Sequence, residues 1–280
     1  MPDTVIWDGT SVDNNIATAG NYIGAAAAAS GDTAVFPAMA AQATHDVAGS
    51  DNSAVLQAAT FIEEMNFLNF GSRGTYLKMD TDLLDFRGRG ARSFLNIVNC
   101  AELRILSGAV ASSGYSYGMH LISTSCTLLT VDLARTTGSP ASASLGIAAL
   151  GGESAAFTSM LFASGYVTVG TAVTCTTCDI TGGVVNYGSD VTTMNVSGGT
   201  VRIFDNNPTT LNLLGGTCYY NSVDIPTKIN VYAGATLNLT EDLRAKALVI
   251  DLYGGTIICS YGQLATSTVV IMGGGTIRIA

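Results

Sequence analysis

The sequence predicts an all-β fold, a single-stranded parallel β-helix (β-solenoid) of right-handed sense, with short coils of 16–20 residues and a less regular N-terminal cap. Three observations predict it. A phrase recurs through the last hundred residues: an alternating apolar segment, a glycine pair, usually a threonine, then a second alternating segment. Apolar and polar residues alternate with period two on both sides of the glycines, the mark of strands with one buried face. The composition agrees, with 48% apolar residues, only 12% charged ones and 32 glycines among 280 residues. That is too apolar for disorder and too glycine-rich for a helical protein.

The copies read CDITGGVVNY, MNVSGGTVRI, LNLLGGTCYY, INVYAGATLNL, IDLYGGTIIC and VIMGGGTIRI. From one phrase threonine to the next (Thr200, Thr217, Thr236, Thr256, Thr276) the steps are 17, 19, 20 and 20 residues. Before the glycines, Cys178, Met194, Leu211, Ile229, Ile250 and Val270 form one apolar column, and Ile180, Val196, Leu213, Val231, Leu252 and Met272 a second. Between them runs a polar column of Asp179, Asn195, Asn212, Asn230 and Asp251, broken by Ile271. After the glycines the inward columns are Val185, Val201, Cys218, Leu237, Ile257, Ile277 and Tyr187, Ile203, Tyr220, Leu239, Cys259, Ile279. One such unit cannot bury its apolar face alone, whereas stacked copies can. The glycines supply corners where a Cβ would be excluded, and parallel crossovers set the expected hand. About 12 coils at ~4.8 Å each give a solenoid near 60 Å long.

The division of the chain follows. Residues 1–52 are rich in Ala, Asp, Asn and Thr and serve as an N-terminal cap or as an arm that docks on a partner, because an open solenoid end needs covering. Within them VIWDG reads as an edge strand, and Asn21–Gly24 as a loop that leads towards a short strand at Gly31–Pro37. Residues 53–280 form the β-helix, most regular over 178–280. At its start, Ser53–Glu64 reads either as a short helix capped by Asn52 or Ser53 or as the first coil. Thr75–Met79, Leu83–Phe86, Phe94–Val98, Leu103–Leu106, Met119–Ile122, Thr127–Leu133 and Tyr166–Val169 read as strands, and Arg135–Ser144 as a loop.

Several function classes are disfavoured. A net charge of −9 argues against a nucleic-acid partner, which would call for clustered Lys and Arg. Arg87–Arg92 is a basic, glycine-rich turn without the Gly-Lys-Ser/Thr ending of a phosphate loop. No apolar run approaches a membrane span, and MPDTVIWDGTSVDNN has neither the basic start nor the apolar core of a secretory leader, so synthesis in a reducing cytoplasm is expected. Cys175-x-x-Cys178 is a lone pair, and with only His45 and His120 in the chain no metal site is expected. No Gly-x-Ser-x-Gly elbow is present. A glycosidase needs two carboxylates roughly 5–10 Å apart; Asp179 and Asp251 lie four coils apart, about 19 Å. Asp80, Asp82, Asp85, Glu63 and Glu64 come with no basic cluster or His. No catalytic, cofactor-binding or metal-binding residue is therefore assigned, and no cofactor.

Three segments carry a resemblance. NYIGAAAAASGDTAVFP resembles the opening of a group of tailed-bacteriophage proteins, in which an Asn-aromatic-x-Gly element precedes Gly-Asp-Thr and a Val-rich strand. TYLKMDTDLLDFRGRG is similar to one of their inner coils. TTLNLLGGTCYYNS through ATLNLTEDLRAKALVIDLYGGTI, with Asp242-Leu243-Arg244-Ala245, is similar to their closing coils. The resemblance covers most of the chain and implies a β-helical virion structural protein: a capsid decoration (cement) protein on the outside of the head, binding the major capsid protein as a homo-oligomer, with a trimer favoured. Residues 1–52 would then be the capsid-docking arm. It carries no catalytic residues to transfer. The alternative is a tail spike, fibre or adhesin whose partner is a host glycan, with Tyr219, Tyr232 and Tyr253 as its exposed aromatic row. A polysaccharide depolymerase is the third reading.

Overall fold

The computed structural model describes residues 3–6, 19–26, 32–36, 44–46, 56–63, 67–69, 80–88, 93–95, 99–106, 119–121, 124–133, 144–149, 153–242 and 244–280. Among them there is no α-helix; nearly everything is parallel β-strand wound as a solenoid. The chain divides into two compact units, Met1–Phe157 and Thr158–Ala280.

In the first unit the strands are β1 (Thr4–Ile6), β2 (Thr33–Phe36), β3 (Thr44–Asp46), β4 (Leu56–Glu63), β5 (Phe67–Asn69), β6 (Asp80–Gly88), β7 (Ser93–Leu95), β8 (Asn99–Leu106), β9 (Met119–Leu121), β10 (Thr124–Asp132) and β11 (Ser144–Ile147). β1, β2, β4, β6, β8 and β10 ladder in parallel in that order, and so do β7, β9 and β11; β3 pairs with β5. Of the two readings of Ser53–Glu64, the structure takes the coil: Leu56–Glu63 is a strand, in register with Asp80–Gly88. β-branched and aromatic residues such as Thr60, Phe61 and Ile62 suit a pleated ladder better than a helix. The edge strand expected at VIWDG is β1 as far as Ile6, its remaining residues lying outside the described ones, and the short strand at Gly31–Pro37 is β2. The strand expected at Thr75–Met79, the boundary at 52/53 and most of the loop expected at Arg135–Ser144 lie outside the described residues. Leu103, Ile105, Leu121, Leu129, Val131, Leu145 and Ile147 form the buried core of this unit.

β12 (Ala155–Ser164) straddles the division. The second unit then continues through β13 (Tyr166–Val169), β14 (Val173–Ile180), β15 (Val184–Tyr187), β16 (Asp190–Val196), β17 (Thr200–Ile203), β18 (Pro208–Leu213), β19 (Gly216–Tyr220), β20 (Lys228–Tyr232), β21 (Ala235–Asn238), β22 (Val249–Tyr253), β23 (Thr256–Cys259), β24 (Thr268–Ile271) and β25 (Thr276–Ile279). The even strands β14–β24 make one parallel sheet and the odd strands β13–β25 another. About seven turns result.

The predicted columns are the register. Cys178, Met194, Leu211, Ile229 and Ile250 align, as do Ile180, Val196, Leu213, Val231 and Leu252, and all are buried. Val185, Val201, Cys218, Leu237, Ile257 and Ile277 align on the other sheet. Every strand thus pairs with its equivalent one coil away, and the side chains between the two sheets exclude water. At the corner, Gly199 has φ +74°, and a Cβ there would sit 2.5 Å from the carbonyl oxygen of Gly183 in the coil before. A Cβ on Gly198 would collide with that of Thr181. The pair is required because successive corners stack backbone on backbone.

The last copy departs from the expected alignment by one residue. Val269, not Val270, aligns with Ile250; Val270 aligns with Asp251; and Ile271, not Met272, aligns with Leu252. The polar column therefore ends in Val270. The reason is the corner: Gly273-Gly274-Gly275 adds a residue between the two inward positions Ile271 and Ile277, as Tyr232–Thr236 does between Val231 and Leu237, so counting back from the glycines shifts the facing.

The first sheet also bends, which the alternation did not reveal. In β16, Val191 and Met194 are both buried although three residues apart, and Thr192 and Thr193 between them both turn outward. Thr176-Thr177 and Thr209-Thr210 sit at the same place in β14 and β18. Its mark in the sequence is a threonine pair interrupting period two, after Cys175, Val191 and Pro208, and alternation alone does not say which way such a pair turns.

Candidate functional site

The polar column on the outer face of the first sheet is a hydrogen-bonded ladder. The Asn195 Nδ2 donates to Asp179 Oδ1 at 2.8 Å, Asn212 to Asn195 Oδ1 at 2.8 Å, and Asn230 to Asn212 Oδ1 at 2.8 Å. All three amide dipoles point the same way, their N–H ends towards the Asp179 carboxylate. At the opposite end Asp251, 8% exposed, is held by Lys228 Nζ at 2.6 Å, and the Tyr253 hydroxyl donates to it at 3.3 Å. Each carboxylate ends a stack, and the register keeps them four coils apart. Stacked amides of this kind stabilise by mutual polarisation along the axis.

Among the described residues the densest polar cluster is a clasp built from the loop after β21. Asp242 and Lys246 are both buried and pair at 2.6 Å. Arg244 forks onto the same carboxylate, Nε to Oδ1 at 2.7 Å and a terminal nitrogen to Oδ2 at 2.8 Å. Lys246 also donates to the Ser222 carbonyl and lies 4.7 Å above the Tyr220 ring. The Tyr220 hydroxyl donates to the Asp224 carbonyl at 2.7 Å. Gln263 closes the cluster: its Nε2 donates to the carbonyls of Leu239 and Asp242, and its Oε1 accepts from the Ser260 N–H at 2.8 Å. The hydrogen bond from Arg244, together with that from Lys246, holds the Asp242 carboxyl well below the usual carboxylate range. A carboxylate so stabilised is a poor general acid or base, and the ammonium that it neutralises is no nucleophile. The clasp ties three coils together. Sequence reasoning met Asp242–Ala245 only through the phage resemblance; the partners that tie Lys246 and Gln263 to other coils, the carbonyls of Ser222 and Leu239, lie 24 residues away and leave no local signal.

The three tyrosines expected as an aromatic row are placed in two groups. Tyr232 and Tyr253 stack face to face, with ring centroids 4.8 Å apart and 10° between planes. Tyr219 points outward on the second sheet with the Arg202 guanidinium 4.7 Å over its ring, and Arg202 pairs with Glu241 at 3.6 Å. One face of each ring is thus taken by a protein group.

Cys175 and Cys178 do not form a reactive pair. Burial pushes the Cys175 thiol up to about 11, and pushes Cys178 up as well; both remain thiols at neutral pH. Cys218 and Cys259 are likewise free and buried, and Cys126 is buried. Among the described residues no group of three or more His, Cys, Asp and Glu is placed to hold a metal ion, and no helix is long and apolar enough to cross a membrane. An open groove on the bend of the first sheet is lined by Thr174, Cys175, Asp190, Thr192, Asn207 and Thr209, with Asp190 as its carboxylate. His45, His120, Asp80, Asp82, Asp85 and Glu63 lie on strands whose side chains are outside the description, as are Glu64 and most of the Arg87–Arg92 turn.

No family model, curated protein or solved structure matches this chain.

Proposed function

We propose that this chain is a structural protein of a bacteriophage virion, a decoration (cement) protein that binds the major capsid protein on the outer surface of the head and stabilises it. The observation that supports the reading best is the in-register stack of the second unit. Its strand pairing, its buried columns and its Asn ladder all run along one axis, which makes a stiff body whose backbone groups are satisfied internally. A cement protein works by adding contact area across neighbouring subunits, and stiffness lets such contacts hold several subunits at once. The phage-like segments NYIGAAAAASGDTAVFP and TYLKMDTDLLDFRGRG support the same reading, with a homotrimer as the assembly.

The glycan-binding alternative draws on Tyr219, Tyr232 and Tyr253, and the ring faces that a sugar would use are partly occupied by Arg202 and by one another. The depolymerase reading would need a carboxylate pair, and the ladder acids are four coils apart. Purified particles carrying the protein, imaged by cryo-electron microscopy, test the proposal. Density for this solenoid is expected over the head surface, and particles stripped of it should open at a lower temperature. Density at the tail tip would favour the receptor-binding reading. Release of reducing or unsaturated sugars from host polysaccharide would overturn the non-enzymatic one.

A further inference from the structure

The bend in the first sheet makes a trough on the outer face of the second unit. Residues two apart on a strand share a face, so Asp190 and Thr192 stand on either side of Val191. The register repeats this in the flanking coils. Thr174 aligns with Asp190 and Cys175 with Val191, while Val191 aligns with Pro208, which places Asn207 beside Asp190 and Thr209 beside Thr192. One wall is therefore Thr174, Asp190 and Asn207, the other is Thr192 and Thr209, and Cys175 and Val191 lie between them. The trough has a volume of about 380 Å³, within the range of small-molecule sites, and crosses two coil steps, about 10 Å at ~4.8 Å per coil.

Its chemistry narrows the ligand. Among the described residues no cation or hydrogen-bond donor meets the Asp190 carboxylate, and the hydroxyls of Thr174, Thr192 and Thr209 bond to no protein group. Asn207 is fixed in its wall: its amide nitrogen donates to the Pro208 carbonyl at 2.7 Å and its oxygen accepts from the Ile225 N–H at 3.2 Å. No Lys, Arg or His lines the trough, so nothing in it favours an anion, and a single carboxylate is too little for a metal ion. A carboxylate accepts from two neighbouring hydroxyls at once, and a threonine hydroxyl both donates and accepts. That set suits a neutral polyol. A ring stands beside it. Phe204 is 42% exposed, and the tip of its ring rests over Gly188, where a Cβ would come within 2.5 Å of Cζ. Gly188 is two residues before Asp190, so the ring flanks the Asp190 wall and offers an apolar surface to the C–H face of a sugar.

We propose that this trough binds a neutral saccharide of disaccharide length, with Asp190 accepting from a vicinal diol and Thr192 and Thr209 bonding the opposite edge. The site is separate from the Tyr219, Tyr232 and Tyr253 rings and does not depend on the virion role.

Saturation-transfer difference NMR on the 280-residue chain tests this with maltose, cellobiose, lactose and diacetylchitobiose as the probes. Transfer to the ring protons of at least one probe is expected, and it should survive high salt because the ligand is neutral. Asp190→Asn should weaken binding of that probe about tenfold or more, and Thr192→Val about threefold, as charged and neutral hydrogen bonds are lost. Both positions are exposed, so both variants should keep the wild-type far-UV circular dichroism. Tyr219→Ala and Tyr253→Leu should leave binding unchanged. No transfer to any of the probes, transfer that neither trough variant weakens, or transfer lost in the tyrosine variants instead would overturn the proposal.

Discussion

Tyr187 and Tyr220 occupy one inward column two coils apart and are equally buried, yet their hydroxyls differ. Tyr220 donates to the Asp224 carbonyl, while the Tyr187 hydroxyl has no hydrogen-bond partner. A buried polar group without a partner bears its desolvation cost uncompensated. Tyr187→Phe should therefore leave stability unchanged or raise it by about 1 kcal/mol, and Tyr220→Phe should lower it by about 1 kcal/mol. Urea unfolding of both variants reads the difference, and equal losses would show that Tyr187 is held after all. A second pair tests facing. Leu213 is 1% exposed in the apolar column, and its neighbour Asn212 sits in the ladder outside. Leu213→Asp buries an unpaired charge and should cost more than about 4 kcal/mol, enough to unfold the second unit. Asn212→Ala removes two half-exposed hydrogen bonds that water can replace, at about 1 kcal/mol. Circular dichroism melts of the two variants should separate widely.

Among the elements, the clasp loop behaves differently from the strands. Strand stability comes from repeated burial; the clasp depends on one carboxylate that satisfies two cations. Asp242→Asn would leave Lys246 buried and uncompensated, a loss of roughly 3 kcal/mol or more. Because the folded-state pKa is depressed, the stability that Asp242 contributes is fully present above its unfolded value near 3.8 and is lost as pH falls through the folded value. The gap in melting temperature between the wild type and Asp242→Asn should therefore be constant above pH about 5, narrow below about 4, and close only at strongly acidic pH. A gap that closes near pH 6 would mean that the carboxylate is not held as the geometry shows. The glycine corners at Gly182-Gly183, Gly198-Gly199 and Gly215-Gly216 are the other sensitive elements, since each packs directly on the backbone of the coil before.

For the molecule as a whole, the organisation is local in sequence and repeated. Each coil of the second unit touches the next through equivalent residues, so stability accumulates coil by coil, with nearest-neighbour contacts as the unit. The proposed cement role draws on the stiffness of that stack, and it fails if the protein is located elsewhere than on the head.

The amino-acid order by itself determined the coil, its 16–20 residue period, the inward columns and the outward Asn ladder, because period-two alternation and glycine corners are local consequences of strand geometry. Three things were decided only by the tertiary structure. The facing of the last strand depended on a corner one residue longer, which a one-dimensional alignment on glycines absorbs without trace. The bend at Thr192–Thr193 depended on which side of the sheet was closed by neighbouring coils. The Asp242–Lys246 clasp joins partners up to 24 residues apart, and burial of a matched charge pair is a property of the folded neighbourhood, invisible in the residues taken singly.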